Sequence, residues 1–407
     1  MRSRSKLMVT AFSTAIIAFA ATTGSALAQK KYDTGATDTE IKLGNIMPYS
    51  GPASAYGVIG KIEDAYFKMI NEQGGINGRK INFISYDDGY SPPKAVEQAR
   101  KLVESDEVLF LFGPLGTPSN SAIQKYLNTK KIPQLFVATG ATKFGDYKDF
   151  PWTMGWQPAY QSEGRIYAKY LLKEKPDAKI GILFQNDDFG KDLLKGLKDG
   201  LGDKAASMIV AEESYEVTEP TIDSHIVKLK ASGADVFVIA ATPKFAAQSI
   251  RKAFEIGWKP MIFLSNVAVW VSTVMQPAGL EAGIGILSTA YVKDPDDAAW
   301  KDDAGVKAWR EFMTKYVPDA DQHDTNYVNA YNSAMALETV LKACGDDLST
   351  DNILKHAYAI KDLELPMLLP GIKINTSPTD HVPVDQMQFM RFNGQSWERF
   401  GELQKGD

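Results

Sequence analysis

The chain has 407 residues, 44% hydrophobic and 23% charged, with 45 Lys plus Arg against 50 Asp plus Glu and a formal net charge of -5. That length gives room for two domains with a substantial core, and the acidic balance argues against nucleic acid or an anionic lipid surface as partner. A single cysteine, Cys344, rules out an internal disulfide and, set in the helical pattern AMALETVLKACG, reads as a small buried residue.

The chain opens MRSRSKLMVTAFSTAIIAFAATTGSALAQ. Arg2, Arg4 and Lys6 precede an apolar stretch from Leu7 to Ala21, and Ala26-Leu27-Ala28 supplies the small residues that a signal peptidase accepts. The pattern predicts a cleaved signal peptide over 1–28, with Gln29 as the new N-terminus. The apolar stretch is too short for a permanent anchor, and no later one approaches the length of a membrane span, so the exported chain is expected not to be membrane-embedded.

From Ile41 onward strands and helices alternate. IKLGNIM, KINFISYDD, VLFLFG and PQLFVAT read as strands, with helical spacing over 57–72, 93–104 and 118–128 between them. The rhythm breaks near Trp152 to Pro158 and restarts with a helix over 160–173 and the strands KIGILFQND, ASMIVAEESY, ADVFVIAA and PMIFLSN. IGILSTAYV follows, then helical stretches over 303–316, 326–343 and 351–361, and last an alternating segment, Met387 to Phe400, split by Asn393-Gly394 as in a hairpin. Two such series predict an α/β fold with two parallel sheets, hence two lobes.

In open α/β sheets ligands gather where strands end and helices begin. The run LFLFGPLGTPSN, 109–120, and its echo QLFVATGAT, 134–142, both stop abruptly at Gly, Thr and Ser. Thr117, Ser119 and the N–H groups of the Pro118 to Ser121 turn would converge on a small anion, because the first turn of a helix leaves its donors unpaired. Such a site holds a carboxylate without a formal cation. The same residue types also serve as plain helix caps.

The second series offers FQNDDFG, 184–190, where Asp187 and Asp188 read as a helix cap and first-turn charge and Phe189 as an aromatic facing a cleft. Thr242, Ser265 and Asn266 stand at two further strand ends, and the loop MPYSGPASAYG brings Tyr49 and Tyr56. Aromatic rings opposite small polar residues suit an apolar or planar ligand with one polar end. Trp270 and Tyr327 read as core packing. The chain carries none of the short nucleotide, nucleophile-elbow or zinc-hydrolase motifs, and His225, His323, His356 and His381 are scattered without metal-ligand spacing. No catalysis, cofactor or metal is expected.

IKLGNIMPYSGPASAYG, FKMINEQGGINGRKINFISYDD and FGPLGTPSNSAI with PQLFVATGAT together resemble the leucine/isoleucine/valine-binding family of periplasmic receptors for ABC importers, over about Ile41 to Phe400. The resemblance implies two Rossmann-like lobes joined by three crossovers in a type I periplasmic binding protein. The expected lobes are 40–156 plus 290–364 and 157–289 plus 365–404. It also implies a periplasmic monomer that closes over a small molecule and presents it to ABC permease subunits. Its ligand residues carry over to Tyr56, Leu115, Thr117, Ser119, Gly140, Thr142, Phe189, Thr242 and Asn266. In particular the carboxylate would sit on Thr117 and Thr142, and the Gly140 carbonyl would accept from a ligand ammonium.

One departure bears on the ligand. Amino-acid receptors of the family carry an acidic residue where this chain has Ser265-Asn266-Val267, and no Asp or Glu lies between Pro260 and Leu280. An ammonium closed in without a carboxylate partner is costly to desolvate. The expected ligand is therefore an aromatic or apolar organic acid, such as a benzoate or hydroxycinnamate. A branched-chain or hydrophobic amino acid, paired with Asp187 or Asp188, is the alternative within the class, and a secreted hydrolase or ligand-sensing module the alternative outside it.

Overall fold

The computed structural model describes residues 30–320, 322 and 324–406; the expected signal peptide, Gln29 and His323 lie outside the described residues. Two sheets carry the fold. The first is parallel and five-stranded, in the order Lys80–Asp87, Glu40–Met47, Phe110–Phe112, Gln134–Val137, Thr153–Gly155. Its inner strands FLF and QLFV are buried throughout, as strands covered by helices on both faces must be. The helix Val58–Glu72 buries Ile59, Ile62, Tyr66 and Ile70, a three-to-four-residue spacing that turns one apolar stripe to this sheet.

The second sheet has seven strands, in the order Trp397–Lys405, Gln386–Phe392, Leu287–Ala290, Met261–Leu264, Val236–Ala240, Ile180–Gln185, Ile209–Tyr215. Its last five are parallel. The first two form the antiparallel hairpin expected at Asn393-Gly394, where Gly394 takes a φ of 102° that favours glycine. A two-stranded ladder, Lys31–Tyr32 with Asp347–Leu348, ties the start of the described chain to a late helical region.

The helices Ala304–Tyr316 and Thr325–Cys344 return to the first sheet's side. Tyr66 meets the Tyr331 ring edge-on at 5.3 Å and bonds the Glu338 carboxylate. Three strands of chain pass between the lobes. The first is near Trp156 to Tyr160 and the second near Ala290 to Lys293, where Leu369 N donates to Tyr291 O at 3.0 Å and Lys293 N to Met367 O at 2.9 Å.

The third passage differs from the expected boundary at 365. The chain beyond that point stays against the first lobe: Gly155 N donates to His381 O at 3.2 Å, the His381 ring bonds Thr153 O at 2.8 Å, and the Tyr358 and His381 rings stack at 3.8 Å. The apolar run Leu365 to Leu369 is buried beside the second passage instead of joining the second sheet. We therefore draw the last boundary near 383, just before the strand Gln386–Phe392.

Candidate functional site

Strand ends from both sheets meet between the lobes. After Phe110–Phe112 the chain turns at Gly116, with φ 101°, into the helix Thr117–Lys130. A Cβ on Gly116 would come within 2.6 Å of the Tyr90 ring, so glycine is what lets this loop approach Tyr90. Tyr90 itself has φ 61°, an uncommon conformation for a bulky residue. It is held there because Asp88 accepts from Tyr90 N at 2.8 Å and from the Ser119 hydroxyl.

The turn presents Thr117 to a neighbouring hydroxyl. Thr117 Oγ1 and Thr139 Oγ1 are 2.6 Å apart, and Thr139 donates on to Tyr160 Oη at 3.3 Å. Hydroxyl hydrogens rotate to suit their partners, so this row can turn donors toward an incoming anion. Burial holds the Tyr56, Tyr90 and Tyr160 hydroxyls far above neutral pH, Tyr160 pushed up to about 12, which keeps them protonated.

From the second lobe, Phe189 lies in the first turn of Asp188–Leu201 and packs on the Tyr160 ring at 4.6 Å. Asp187 caps that helix, accepting from Phe189 N at 3.0 Å and Gly190 N at 3.3 Å, and takes Gln185 Nε2 at 2.6 Å. Burial outweighs those donors and pushes its carboxyl up to about 6. Thr242 N donates to Tyr215 Oη at 3.0 Å, which fixes that strand end beside the same space.

These groups line a space between the lobes, about 340 Å³ free of atoms and partly open to solvent, with Tyr56, Thr117, Thr139, Tyr160, Phe189 and Thr242 among the walls and, among the described residues, no charged side chain. Tyr56, Gln157 and Val267 are shared with a second chamber of about 570 Å³. That one is walled chiefly by Val269, Trp270, Tyr291, Met390 and Trp397, and has Asn326, Asn329 and the carboxylate-bearing Asp294 in its lining.

The lobes touch directly across the cleft. Tyr56 Oη donates to Val267 O at 2.9 Å, Gln185 Nε2 to Tyr90 Oη at 3.3 Å, and Lys143 Nζ pairs with Asp188 at 3.2 Å. The arrangement is a closed one.

An acidic residue does stand behind the strand end that lacks one in sequence. Glu163, buried in the helix Tyr160–Glu174, accepts from Tyr167 Oη at 2.6 Å, Asn266 N at 2.7 Å, Ser265 Oγ at 2.9 Å and Thr289 Oγ1 at 3.2 Å. Burial raises its carboxyl and the four donors oppose that. They also occupy it, so it serves the Ser265-Asn266 turn rather than an open wall.

Of the expected site residues, Tyr56, Leu115, Thr117, Phe189 and Thr242 line the smaller chamber and Asn266 the larger. Ser119, Gly140 and Thr142 do not. The Ser119 hydroxyl is taken by Asp88. The Gly140 carbonyl, expected to face a ligand ammonium, accepts Tyr160 N at 2.8 Å, and a Cβ there would strike Pro158 O at 2.3 Å, so this glycine packs the first passage. Thr142 is exposed, and its N–H donates to Asp192 at 2.6 Å across the lobes. Its place is filled by Thr139, three residues earlier in the same ATGAT run, a choice that the repeated Ala-Thr left open.

Asp188 turns to Lys143 and Ser121. Trp270, expected in the core, faces the larger chamber and meets Tyr56 edge-on at 5.1 Å. Tyr90, Gln157, Tyr160 and Asn326 carried no sequence signal, because their positions depend on the passages between lobes. Among the described residues no group of three or more His, Cys, Asp or Glu converges as metal ligands would, and no helix is long and apolar enough to cross a membrane.

Comparison with known proteins agrees with this fold. The profile of a family described as "Periplasmic binding protein" matches residues 40–396. The chain is 24% identical over 344 residues to the Leu/Ile/Val-binding protein homolog 7 of Brucella suis biovar 1, covering 80% of this chain and 82% of that one. A branched chain amino acid ABC transporter protein of Thermus thermophilus, crystallised with bound valine, superposes with a TM-score of 0.80 at 16% identity, covering 91% and 97% of the two chains. A fatty acid ABC transporter substrate-binding protein of Thermomonospora curvata gives 0.74 at 21% identity, covering 92% and 95%.

Proposed function

The chain belongs to the periplasmic binding protein family, and from that premise we propose that it is the periplasmic, monomeric receptor of an ABC importer. In this reading it closes over a small carboxylate with an apolar or aromatic body and hands it to the permease subunits. The observation that carries the ligand class is the wall of the smaller chamber: hydroxyls of Thr117, Thr139 and Tyr160 with no charged side chain among the described residues, beside a larger, ring-lined space with which it shares Tyr56, Gln157 and Val267.

Neutral donors in a water-poor site suffice for a carboxylate, since hydrogen bonds to charged groups contribute about 1.5–3 kcal/mol each. Micromolar binding needs about -8 kcal/mol, within reach of two such bonds plus burial of an aromatic ring. An ammonium, by contrast, asks for a carboxylate; Glu163 is committed to four donors, and Asp294 lines the larger chamber, not the one that holds the hydroxyl row.

A hydrophobic α-amino acid is the second reading, and specific observations favour it. The Brucella relative is named for leucine, isoleucine and valine, and the Thermus protein holds valine. Asp187 also lies close enough to act electrostatically on Tyr56, Tyr90, Tyr160 and Tyr215, so an ammonium in the smaller chamber would feel its charge.

A thermal-shift screen of the protein from Gln29 onward separates the two. A ligand present at about 100 times its Kd adds about 2.7 kcal/mol to stability. Aromatic and aliphatic monocarboxylates are expected to raise the midpoint and to be recovered chemically unchanged. A shift with leucine or valine alone would move the assignment to the second reading, and turnover of the bound acid would sink the receptor role.

A further inference from the structure

We infer that the ligand is elongated, spans both chambers, and carries a hydrogen-bond acceptor at the end remote from its carboxylate, received by the side-chain amide of Asn326. This rests on the carboxylate reading of the smaller chamber for its orientation. The second chamber supplies the rest.

Asn326 is 3% exposed, stands in the wall of the larger chamber, and its Nδ2 is a buried donor without a hydrogen-bond partner. Buried amide donors are almost always paired, so an unpartnered one on a residue of the chamber wall calls for a partner from outside the chain, a ligand or a water. The backbone that carries it is fixed: Asp324 caps the helix Thr325–Cys344 and accepts from Asn326 N at 2.7 Å. One turn on, Asn329 also lines the chamber, but its Oδ1 is already engaged by Trp156 Nε1 at 2.8 Å and Tyr291 Oη at 3.0 Å. That fixes the acceptor of Asn329; the buried donor in this wall that lacks a partner is Asn326 Nδ2.

Between this donor and the hydroxyl row lies apolar and aromatic wall. The chambers meet at Tyr56, Gln157 and Val267, and the larger continues past Trp270, Met390 and Trp397. A short aliphatic amino acid with its carboxylate on Thr117 carries no group that could reach the Asn326 amide. A rigid ring or a chain of several carbons ending in a hydroxyl, ether or carbonyl oxygen matches both the apolar passage and the orphan N–H.

The test compares ligands that differ only in the distal oxygen, by calorimetry. 4-Hydroxycinnamate and 4-methoxycinnamate are measured against cinnamate on the wild-type protein and on Asn326→Leu and Asn326→Asp. Wild type is expected to prefer the oxygen-bearing acids by about tenfold, the size of one hydrogen bond that would otherwise go unmade. Asn326→Leu should abolish the preference by weakening those acids alone, leaving cinnamate within about twofold. Asn326→Asp keeps the shape and replaces the donor with an acceptor; it should invert the preference for the methoxy acid, and it stands in should the Leu variant not fold.

Equal wild-type affinity for all three acids, as when an ordered water satisfies Nδ2 permanently, overturns the inference while leaving the carboxylate reading intact. If only α-amino acids bind, that reading falls, and tyrosine against phenylalanine on the same variants decides the distal acceptor by itself.

Discussion

The Tyr56 hydroxyl of the first lobe donates to the Val267 carbonyl of the second at 2.9 Å, while its ring meets Trp270 edge-on at 5.1 Å. One side chain therefore latches the two lobes and walls both chambers. Tyr56→Phe keeps the ring and removes the latch. Losing one hydrogen bond is worth about 1 kcal/mol, so affinity is expected to drop several-fold, mainly through faster release. The lobes should also sit further apart without ligand, as a larger radius of gyration in small-angle scattering. An unchanged release rate in stopped-flow would show that the bond does not hold the closed form.

Thr139, not Thr142, is the hydroxyl on the chamber wall. Thr139→Val preserves shape and deletes the link between Thr117 and Tyr160. With a carboxylate ligand it is expected to cost about 1.5–3 kcal/mol, roughly tenfold to a hundredfold in Kd. Thr142→Val, at an exposed position whose N–H and not its hydroxyl bridges to Asp192, should stay within about twofold. The reverse order in calorimetry would restore the sequence assignment.

This contrast shows how far the sequence reaches. The α/β fold and its two sheets were legible because short apolar runs ending at Gly, Thr or Ser repeat between amphipathic helices, a pattern set by local periodicity. Loops that follow those runs, such as Gly113 to Thr117, announce themselves by composition. Which of two nearby threonines turns inward depends on how Tyr160 N claims the Gly140 carbonyl, and that contact belongs to a lobe passage. Glu163 was invisible for the same reason: it reaches Ser265 from 102 residues earlier in the chain. The lobe boundary expected at 365 assigned the apolar run Leu365 to Leu369 to the second lobe, yet it is buried beside Tyr291, an arrangement that periodicity does not encode.

Glu163→Gln tests whether that buried acceptor organises the strand end. The carboxylate serves four donors, and an amide puts its own N–H₂ against at least one of them. A buried polar group left unmatched costs about 1–3 kcal/mol. The thermal midpoint is expected to fall by several degrees, at roughly 2–4 °C per kcal/mol or somewhat less for a chain of this size. Ligand affinity should weaken with it, because the Ser265-Asn266 turn loses part of its anchor. A midpoint equal to wild type would mean that the four contacts add no net stability.

Asp187 gives the pH dependence that distinguishes the two ligand readings. Its carboxyl, pushed up to about 6 from 3.8 by burial, binds its proton more tightly in the folded chain than in the unfolded one. Its contribution therefore favours folding fully below about pH 4 and is lost as pH rises through about 6, up to about 3 kcal/mol in all. Asn is an equally good helix cap, so Asp187→Asn should grow more stable relative to wild type between about pH 5 and pH 7.5 in urea unfolding. The same titration acts on the ligand. Asp187 does not line the smaller chamber but acts through space on Tyr56, Tyr90, Tyr160 and Tyr215, all neutral, while neighbouring Asp188 is paired with Lys143, so the charge of Asp187 is the one whose field reaches a group bound there. A simple carboxylate is repelled by ionised Asp187 and is expected to bind several-fold more tightly at about pH 5.5 than at pH 7.5. An amino acid with its ammonium toward Asp187 would show the opposite slope. Calorimetry at the two values, with Asp187→Asn flattening whichever slope appears, reads the sign directly; a flat wild-type profile would remove Asp187 from the ligand's electrostatic surroundings.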